Sequence, residues 1–173
     1  MQVKKIVVIG PESTGKSTLS EMLAASLKTV WVPEYAREYL EQREGVYEES
    51  DLLEIAKGQL KLEDEQLAKA NKFLICDTDL YVLKVWSEHK YGRCHQSILD
   101  EISRRHYDMY LLTDIDIEWQ DDPLREHPLP EMRQYFFNIY RDIVENSGVP
   151  WALVSSTPEE RLKAALKAIN SLI

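Results

Sequence analysis

A chain of 173 residues has room for one α/β domain with a substantial core, and a 44% hydrophobic share is ordinary for a globular protein. A formal charge of −9 argues against a general nucleic-acid binder with a basic face, and no apolar run is long enough to span a bilayer. Two cysteines, Cys76 and Cys94, supply neither a disulfide framework nor a metal-ligand cluster. Met1-Gln2-Val3-Lys4-Lys5 enters a strand without the apolar core of a signal peptide, so a cytoplasmic protein with reduced thiols is expected.

The first strand is expected over about 4–9, on the buried-type run Ile6-Val7-Val8-Ile9. Gly10-Pro11-Glu12-Ser13-Thr14-Gly15-Lys16-Ser17-Thr18 follows and fits G-x-x-x-x-G-K-[ST], a phosphate-binding loop. Gly10 and Gly15 permit backbone conformations that turn successive N–H groups inward around an anion. Lys16 can reach the β- and γ-phosphates, and Ser17 can place its hydroxyl on Mg²⁺. A helix to about Leu27 carries Leu19, Met22, Leu23 and Leu27 at helical spacing, and its N-terminal dipole favours negative charge.

Thr29-Val30-Trp31-Val32 reads as a short second strand ending at Pro33-Glu34, so Glu34 should lie at the same strand-end crevice as the loop. Tyr35 to Leu40 starts a helix. A long helix is expected from Ser50, as N-cap, to about Asn71, with Leu53, Ala56, Leu60 and Leu67 inward and the run Lys61-Leu62-Glu63-Asp64-Glu65 on a solvated face. Phe73-Leu74-Ile75-Cys76 is a third buried-type strand, and Asp77-Thr78-Asp79 closes it. A carboxylate there can serve Mg²⁺ beside a bound nucleotide, while Thr78 or Asp79 can cap the next helix.

Helices are expected over about 80–89, ended by Tyr91-Gly92, and about 95–106, with a fourth strand at Asp108 to Thr113. His89, His95, His106 and His127 show no paired ligand spacing and read as surface or helix-end residues. The acidic, Pro-containing segment from Asp114 to Pro128 has two readings, an irregular surface loop or a mobile lid (about 114–129) that delivers Arg125 to the phosphates and excludes water. A helix over about 130–146 places Met132, Tyr135, Phe136, Ile139 and Ile143 at core spacing. Trp151 to Val154 is the fifth strand, and Thr157-Pro158-Glu159-Glu160 fits a capping box before a last helix that buries Leu162, Ala165, Leu166, Ile169 and Leu172. The alternation specifies a mostly parallel five-stranded sheet with helices on both faces, a three-layer α/β/α P-loop fold.

The motif implies a nucleoside triphosphate, not a reaction. Three readings compete: a small-molecule kinase, an ATPase or GTPase, and a nucleotide-binding regulatory module. The kinase is favoured because the guanine-reading Asn-Lys-x-Asp string is missing, and polar and aromatic residues sit where an acceptor would lie. These are Glu34, Tyr35, Arg37 and Glu38 after the second strand, Asp77 and Asp79 after the third, and Trp119 and Arg125 in the segment after the fourth. Tyr35 or Trp119 can either stack on an aromatic base or pack in the core.

Gly10 to Thr18, Glu34-Tyr35-Ala36-Arg37-Glu38-Tyr39, Asp77-Thr78-Asp79, Tyr91-Gly92 and the Trp119…Asp122…Leu124-Arg125 pattern together resemble the ribosylnicotinamide kinase domain of bacterial NadR-type proteins. That group is often described as an AAA-type ATPase domain. The resemblance covers nearly the whole chain and implies a nucleoside/nucleotide-kinase-like fold. It implies ATP- and Mg²⁺-dependent phosphorylation of the ribose 5′-hydroxyl of nicotinamide riboside. Carried over, Glu12, Ser13, Thr14, Lys16, Ser17 and Thr18 would cradle phosphate, and Ser17 and Asp77 would serve the metal. Glu34 or Asp77 would meet the acceptor hydroxyl, with Glu34 the first choice for base by similarity to deoxynucleoside kinases. Arg37 or Asp79 would fix the substrate, and Arg125 would act from the lid. NadR-type proteins carry an adenylyltransferase domain upstream, whereas the loop here starts at Gly10. The expectation is a chain that makes the mononucleotide and not NAD, with no nucleic-acid or membrane partner.

Overall fold

The computed structural model describes residues 2–172. Five strands form one parallel sheet: β1 (Lys4–Ile9), β2 (Trp31–Val32), β3 (Phe73–Asp77), β4 (Met109–Thr113) and β5 (Trp151–Val154), in the order β2-β3-β1-β4-β5. Parallel strands need crossovers, and α1 (Lys16–Leu27), α2 (Tyr35–Glu41), α3 (Glu49–Leu67), α4 (Leu80–Tyr91), α5 (Gln96–Arg104) and α6 (Pro130–Asn146) lie in those connections, while α7 (Pro158–Asn170) follows β5. From β1 the chain goes to the edge strand β2, returns to β3 beside β1, then crosses to β4 and β5 on the other side. The carboxyl end of β1 is therefore a topological switch point, where open α/β sheets leave a crevice.

Strand alternation splits the core in two. Ile6, Val8, Ile75 and Leu111 meet Leu19, Leu23, Ala165 and Ile169 of α1 and α7 on one face. Val7, Ile9, Leu74, Cys76, Tyr110 and Leu112 meet Phe136, Phe137, Tyr140 and Val144 of α6 and Val85 of α4 on the other. A satellite cluster of Ala36, Leu52, Ile55, Ala56, Leu80, Leu83 and Ile98 ties α2 to α5 together beside the sheet.

Several helices turn by about one residue from their apolar pattern. In α3 the buried positions are Asp51, Leu52, Ile55, Ala56, Gln59 and Glu63, not the stripe of Leu53, Leu60 and Leu67. Polar residues take core-facing places there because each is satisfied. Gln59 accepts the Tyr35 N–H at 2.7 Å and donates to the Pro33 carbonyl at 3.3 Å. Glu63, 1% exposed, accepts from Lys5 at 3.1 Å, Arg105 at 3.3 Å and Tyr107 at 2.8 Å, so the charge run 61–65 is not wholly a solvated face. In α6, Phe136, Phe137, Tyr140 and Val144 are buried while Tyr135 is 48% exposed.

Termini also differ. Helix α3 starts at Glu49, behind Glu48, whose N–H donates to Asp51 at 2.8 Å, so Ser50 is inside the helix. The capping box of α7 is half formed. Thr157 accepts the Glu160 N–H at 3.3 Å, but the Glu160 carboxylate takes the Ser156 hydroxyl instead of the Thr157 N–H.

Candidate active site at the carboxyl edge of the sheet

The loop 10–18 wraps the carboxyl end of β1. A Cβ on Gly10 would stand 2.2 Å from the Thr113 hydroxyl, and Gly15 takes a left-handed φ of 76° as the N-cap of α1, so both positions demand glycine. Thr14 bonds Pro11 O and the Thr113 hydroxyl, each at 2.7 Å, and Lys16 Nζ donates to Pro11 O at 2.7 Å.

Two further arginines brace this loop. Arg161, 3% exposed, donates to the carbonyls of Thr14 (2.5 Å), Ser156 (3.0 Å) and Asp114 (3.1 Å) and pairs with Asp116. Arg133 donates to the carbonyls of Ser13 (3.2 Å) and Ile117 (3.0 Å). With carbonyls held from behind, the loop's N–H groups are left for an anion. Sequence reasoning missed both residues, because an arginine on an amphipathic helix reads as solvated.

The end of β3 brings Asp77 beside α1, where the Ser17 hydroxyl donates to one carboxylate oxygen while the other is buried and unpartnered. Burial, and then the Glu34 charge, push the Asp77 carboxyl up to about 6. No cluster of three or more His, Cys, Asp or Glu with metal-binding geometry occurs among the described residues. A hard cation here would therefore depend on Ser17, Asp77 and ligand oxygens.

Segment 114–129 crosses over the loop and is fastened to it. Ser13 Oγ accepts the Gln120 N–H at 2.9 Å and an Arg125 N–H at 3.3 Å, and Arg125 also donates to Gln120 O at 2.5 Å. The Glu12 carboxylate accepts the N–H groups of Glu126 (3.1 Å) and His127 (3.2 Å), and Arg37 of α2 pairs with Asp122 at 3.0 Å. Arg125 and Arg133 make no ion pair among the described residues, whereas every other arginine does. In a chain of net charge −9, two guanidinium groups at Ser13 thus keep their charge unneutralised.

Beneath the segment is a cavity of about 370 Å³. The loop 10–18, Ser156 and Pro158 line one end, and Ala36, Leu40, Val82, Val85, Trp86, Phe136 and Tyr140 line the other. Glu34, Arg37, Arg125 and His127 border it as well. His89 and His127 stack edge to face at 5.1 Å beside Phe136, so two of the four histidines border the cavity.

Of the residues expected to meet a substrate, Glu34 and Arg37 line this cavity, and Tyr35, Asp79 and Trp119 do not. The Tyr35 ring packs where a Cβ of Gly58 would be. Asp79 caps α4, accepting the Tyr81 N–H at 2.9 Å and the Tyr110 hydroxyl at 2.8 Å, and burial pushes it up to about 7. The Trp119 indole has the guanidinium groups of Arg125 and Arg133 each 5.9 Å from its ring.

A family model described as an AAA domain matches residues 5–161 of the chain. The chain belongs to this AAA-domain family. It is 28% identical over 156 residues to the trifunctional NAD biosynthesis/regulator protein NadR of Escherichia coli strain K12, a match covering 88% of this chain and 38% of that relative. Solved structures share the fold. A NadR protein in complex with NR superimposes with a TM-score of 0.74 at 22% identity, covering 99% of this chain and 52% of the other. A NadR protein in complex with NAD and AMP-PNP gives 0.79 at 22% identity, covering 99% and 49%. Deoxyadenosine kinase from M. mycoides gives 0.62 at 15% identity, covering 98% and 100%. The AAA-domain family member therefore has the three-layer parallel fold of P-loop nucleoside kinases, and it spans about half or less of the NadR chains it matches.

Proposed function

We propose that this chain is a P-loop phosphotransferase that passes the γ-phosphoryl group of ATP to the ribose 5′-hydroxyl of nicotinamide riboside, as one kinase unit with residues 114–129 as its lid. The observation that carries this reading is a single cavity lined by the phosphate loop, by Glu34 and by an apolar and aromatic chamber, with Asp77 bonded to Ser17 of that lining. A nucleoside needs such a chamber, and a hydrolase has no use for it. The match to NadR, whose relatives bind NR in one structure and AMP-PNP in another, supports the acceptor and donor. Burial first, and then the Glu34 charge, raise the Asp77 carboxyl, and burial and then the charges of Glu34 and Glu12 raise the Tyr140 phenol; the carboxylates of Glu34 and Glu12, which line the cavity, suit a cationic pyridinium.

In this reading the N–H groups of loop 10–18 and Lys16 hold the donor phosphates. Ser17 and Asp77 fit Mg²⁺, since the unpartnered Asp77 oxygen is a buried acceptor in need of a cation; bound there, the ion would spread the charge of the transferring group. Glu34 orients the acceptor hydroxyl and takes its proton, and Arg125, free of any carboxylate, stabilises charge on the phosphoryl group from the lid. No helix among the described residues is long and apolar enough to cross a membrane, and we infer a cytoplasmic enzyme acting on small molecules.

ADP release from ATP and Mg²⁺, with and without a panel of nucleosides, tests the proposal. Strong stimulation by nicotinamide riboside with a phosphorylated product by mass spectrometry is expected, and Lys16→Ala should lower it on the order of 10³-fold. Acceptor-independent hydrolysis at the full rate would overturn the kinase reading in favour of an ATPase.

A further inference from the structure

Tyr47 lies in the connection between α2 and α3, outside the cavity, yet its one oxygen joins three parts of the molecule. The phenol donates to Glu126 Oε1 at 2.9 Å and accepts from Trp86 Nε1 at 2.7 Å and Lys90 Nζ at 2.6 Å. A hydroxyl has one proton to give and two lone pairs to receive, so Tyr47 is saturated. Burial and the Glu126 carboxylate both raise its ionisation well above the ordinary phenol range, so it stays a donor at neutral pH. Its ring meets Trp86 edge to face at 4.7 Å, and Lys90 sits 3.8 Å over its face.

Trp86 and Glu126 both line the cavity and meet at the Tyr47 oxygen. Trp86 belongs to the acceptor chamber on α4, and Glu126 belongs to segment 114–129, where its N–H is held by Glu12 of the phosphate loop at 3.1 Å. A continuous path thus runs from Glu12 through Glu126 and Tyr47 to the Trp86 indole. A displacement of Glu126 would break its bond to Tyr47 and its 3.7 Å pairing with Lys90, and the same Tyr47 oxygen accepts from the Trp86 indole.

We propose that Tyr47 is a positioning residue that couples closure of segment 114–129 to the shape of the acceptor chamber, by holding Glu126 and Trp86 on one phenolic oxygen. This rests on the kinase reading for its substrate and on the geometry alone for the coupling. A closed lid then presents an ordered indole wall to the acceptor, and an open lid releases it. Acceptor capture and donor shielding become one event, which limits loss of ATP to water.

Tyr47→Phe keeps the ring and removes only the oxygen. The expected result is a rise of roughly ten-fold in acceptor KM, the effect of the half-buried Trp86 N–H left unpaired, with ATP KM changed by less than about two-fold and thermal stability close to wild type. The ratio of ATP hydrolysed to acceptor phosphorylated should also rise. Glu126→Ala should act through the same path, so Tyr47→Phe/Glu126→Ala should be no worse than the worse single variant. Wild-type kinetics in Tyr47→Phe, additive effects in the double variant, or a loss that tracks a fall in melting temperature would each overturn the proposal. Should the wild type phosphorylate no nucleoside, the kinase reading fails while the coupling is still measurable. In a Trp119→Phe background, AMP-PNP with Mg²⁺ should change tryptophan fluorescence, and adding either Trp86→Phe or Tyr47→Phe should remove that change. An equal change with and without Tyr47→Phe in that background would overturn the coupling.

Discussion

Glu12 belongs to the phosphate loop by sequence and to the covering segment by contact. Burial raises its carboxyl above the ordinary value of 4.5, opposed by the N–H groups of Glu126 and His127 and then by the charges of His127 and Lys16. An acid raised in the folded state contributes stability that is fully present below its unfolded pKa and is lost as pH rises through the folded value. Glu12→Gln keeps an oxygen for the two N–H groups and removes the ionisation. Its melting temperature should match wild type near pH 4 and exceed it at pH 8, by differential scanning fluorimetry across that range. A constant offset at every pH would show that ionisation of Glu12 is not what costs stability. Glu12 was legible as a loop residue because the motif is local. Its second role was not, since residues 126 and 127 lie more than a hundred positions away.

At the scale of elements, α3 departs most from its apparent pattern, and two substitutions test the reason. Gly58 lies inside α3, where Ala ordinarily gains about 1 kcal/mol. A Cβ there would stand 2.0 Å from the Tyr35 ring, so Gly58→Ala should destabilise by roughly 1–3 kcal/mol in urea denaturation. A gain in stability would mean that α2 is free to shift. Glu63 holds Lys5, 16% exposed, and Arg105, 19% exposed, at the amino-terminal edge of the sheet. Glu63→Ala removes the partner of Lys5 and one of the two carboxylates on Arg105, whose bond to Asp64 at 2.6 Å is kept, and should cost roughly 3 kcal/mol. Glu65→Ala, in the same charge run but paired only at 4.0 Å with the exposed Lys61, should cost within about 0.5 kcal/mol. Equal effects would remove the distinction between the two faces. Hydrophobic periodicity located α3 and could not rotate it correctly, because a polar residue counts as outward until its partners are known. Those of Glu63 come from β1 and from the region between α5 and β4.

At the scale of the whole molecule, segment 114–129 is fastened by Glu12 and Ser13 of the loop, Arg37 of α2, Tyr47 before α3, Lys90 of α4, Arg133 of α6 and Arg161 of α7. Arg125 donates to Ser13 Oγ of the loop, and in the proposed reading it would bring its charge to the phosphates. Arg125→Ala should lower kcat on the order of 10²-fold while ATP KM and melting temperature move little, as measured by ADP release and thermal denaturation. Wild-type kcat would return the segment to the role of an ordinary surface loop. Neither a strand nor a helix passes through 114–129, so its docking depends on side-chain contacts that composition does not reveal.

What the sequence determined by itself is whatever depends on neighbours along the chain. Apolar runs gave the strands, the glycines and Lys16 of one nine-residue string gave the phosphate loop, and an Asp closing an apolar strand marked Asp77. Parallel strands with helical crossovers then placed Glu34, Asp77 and the loop at one edge, because such strands all end on the same side. The tertiary structure alone decided which polar side chains turn inward and which residues meet across the cavity. Asp79 and Trp119 are drawn to Tyr110 and to the Arg125–Arg133 pair, and away from the cavity. Arg133, Arg161, His127 and Tyr47 acquire their places from distant partners. Burying a polar group is costly unless it is hydrogen-bonded, and whether a partner is there is a property of the assembled molecule.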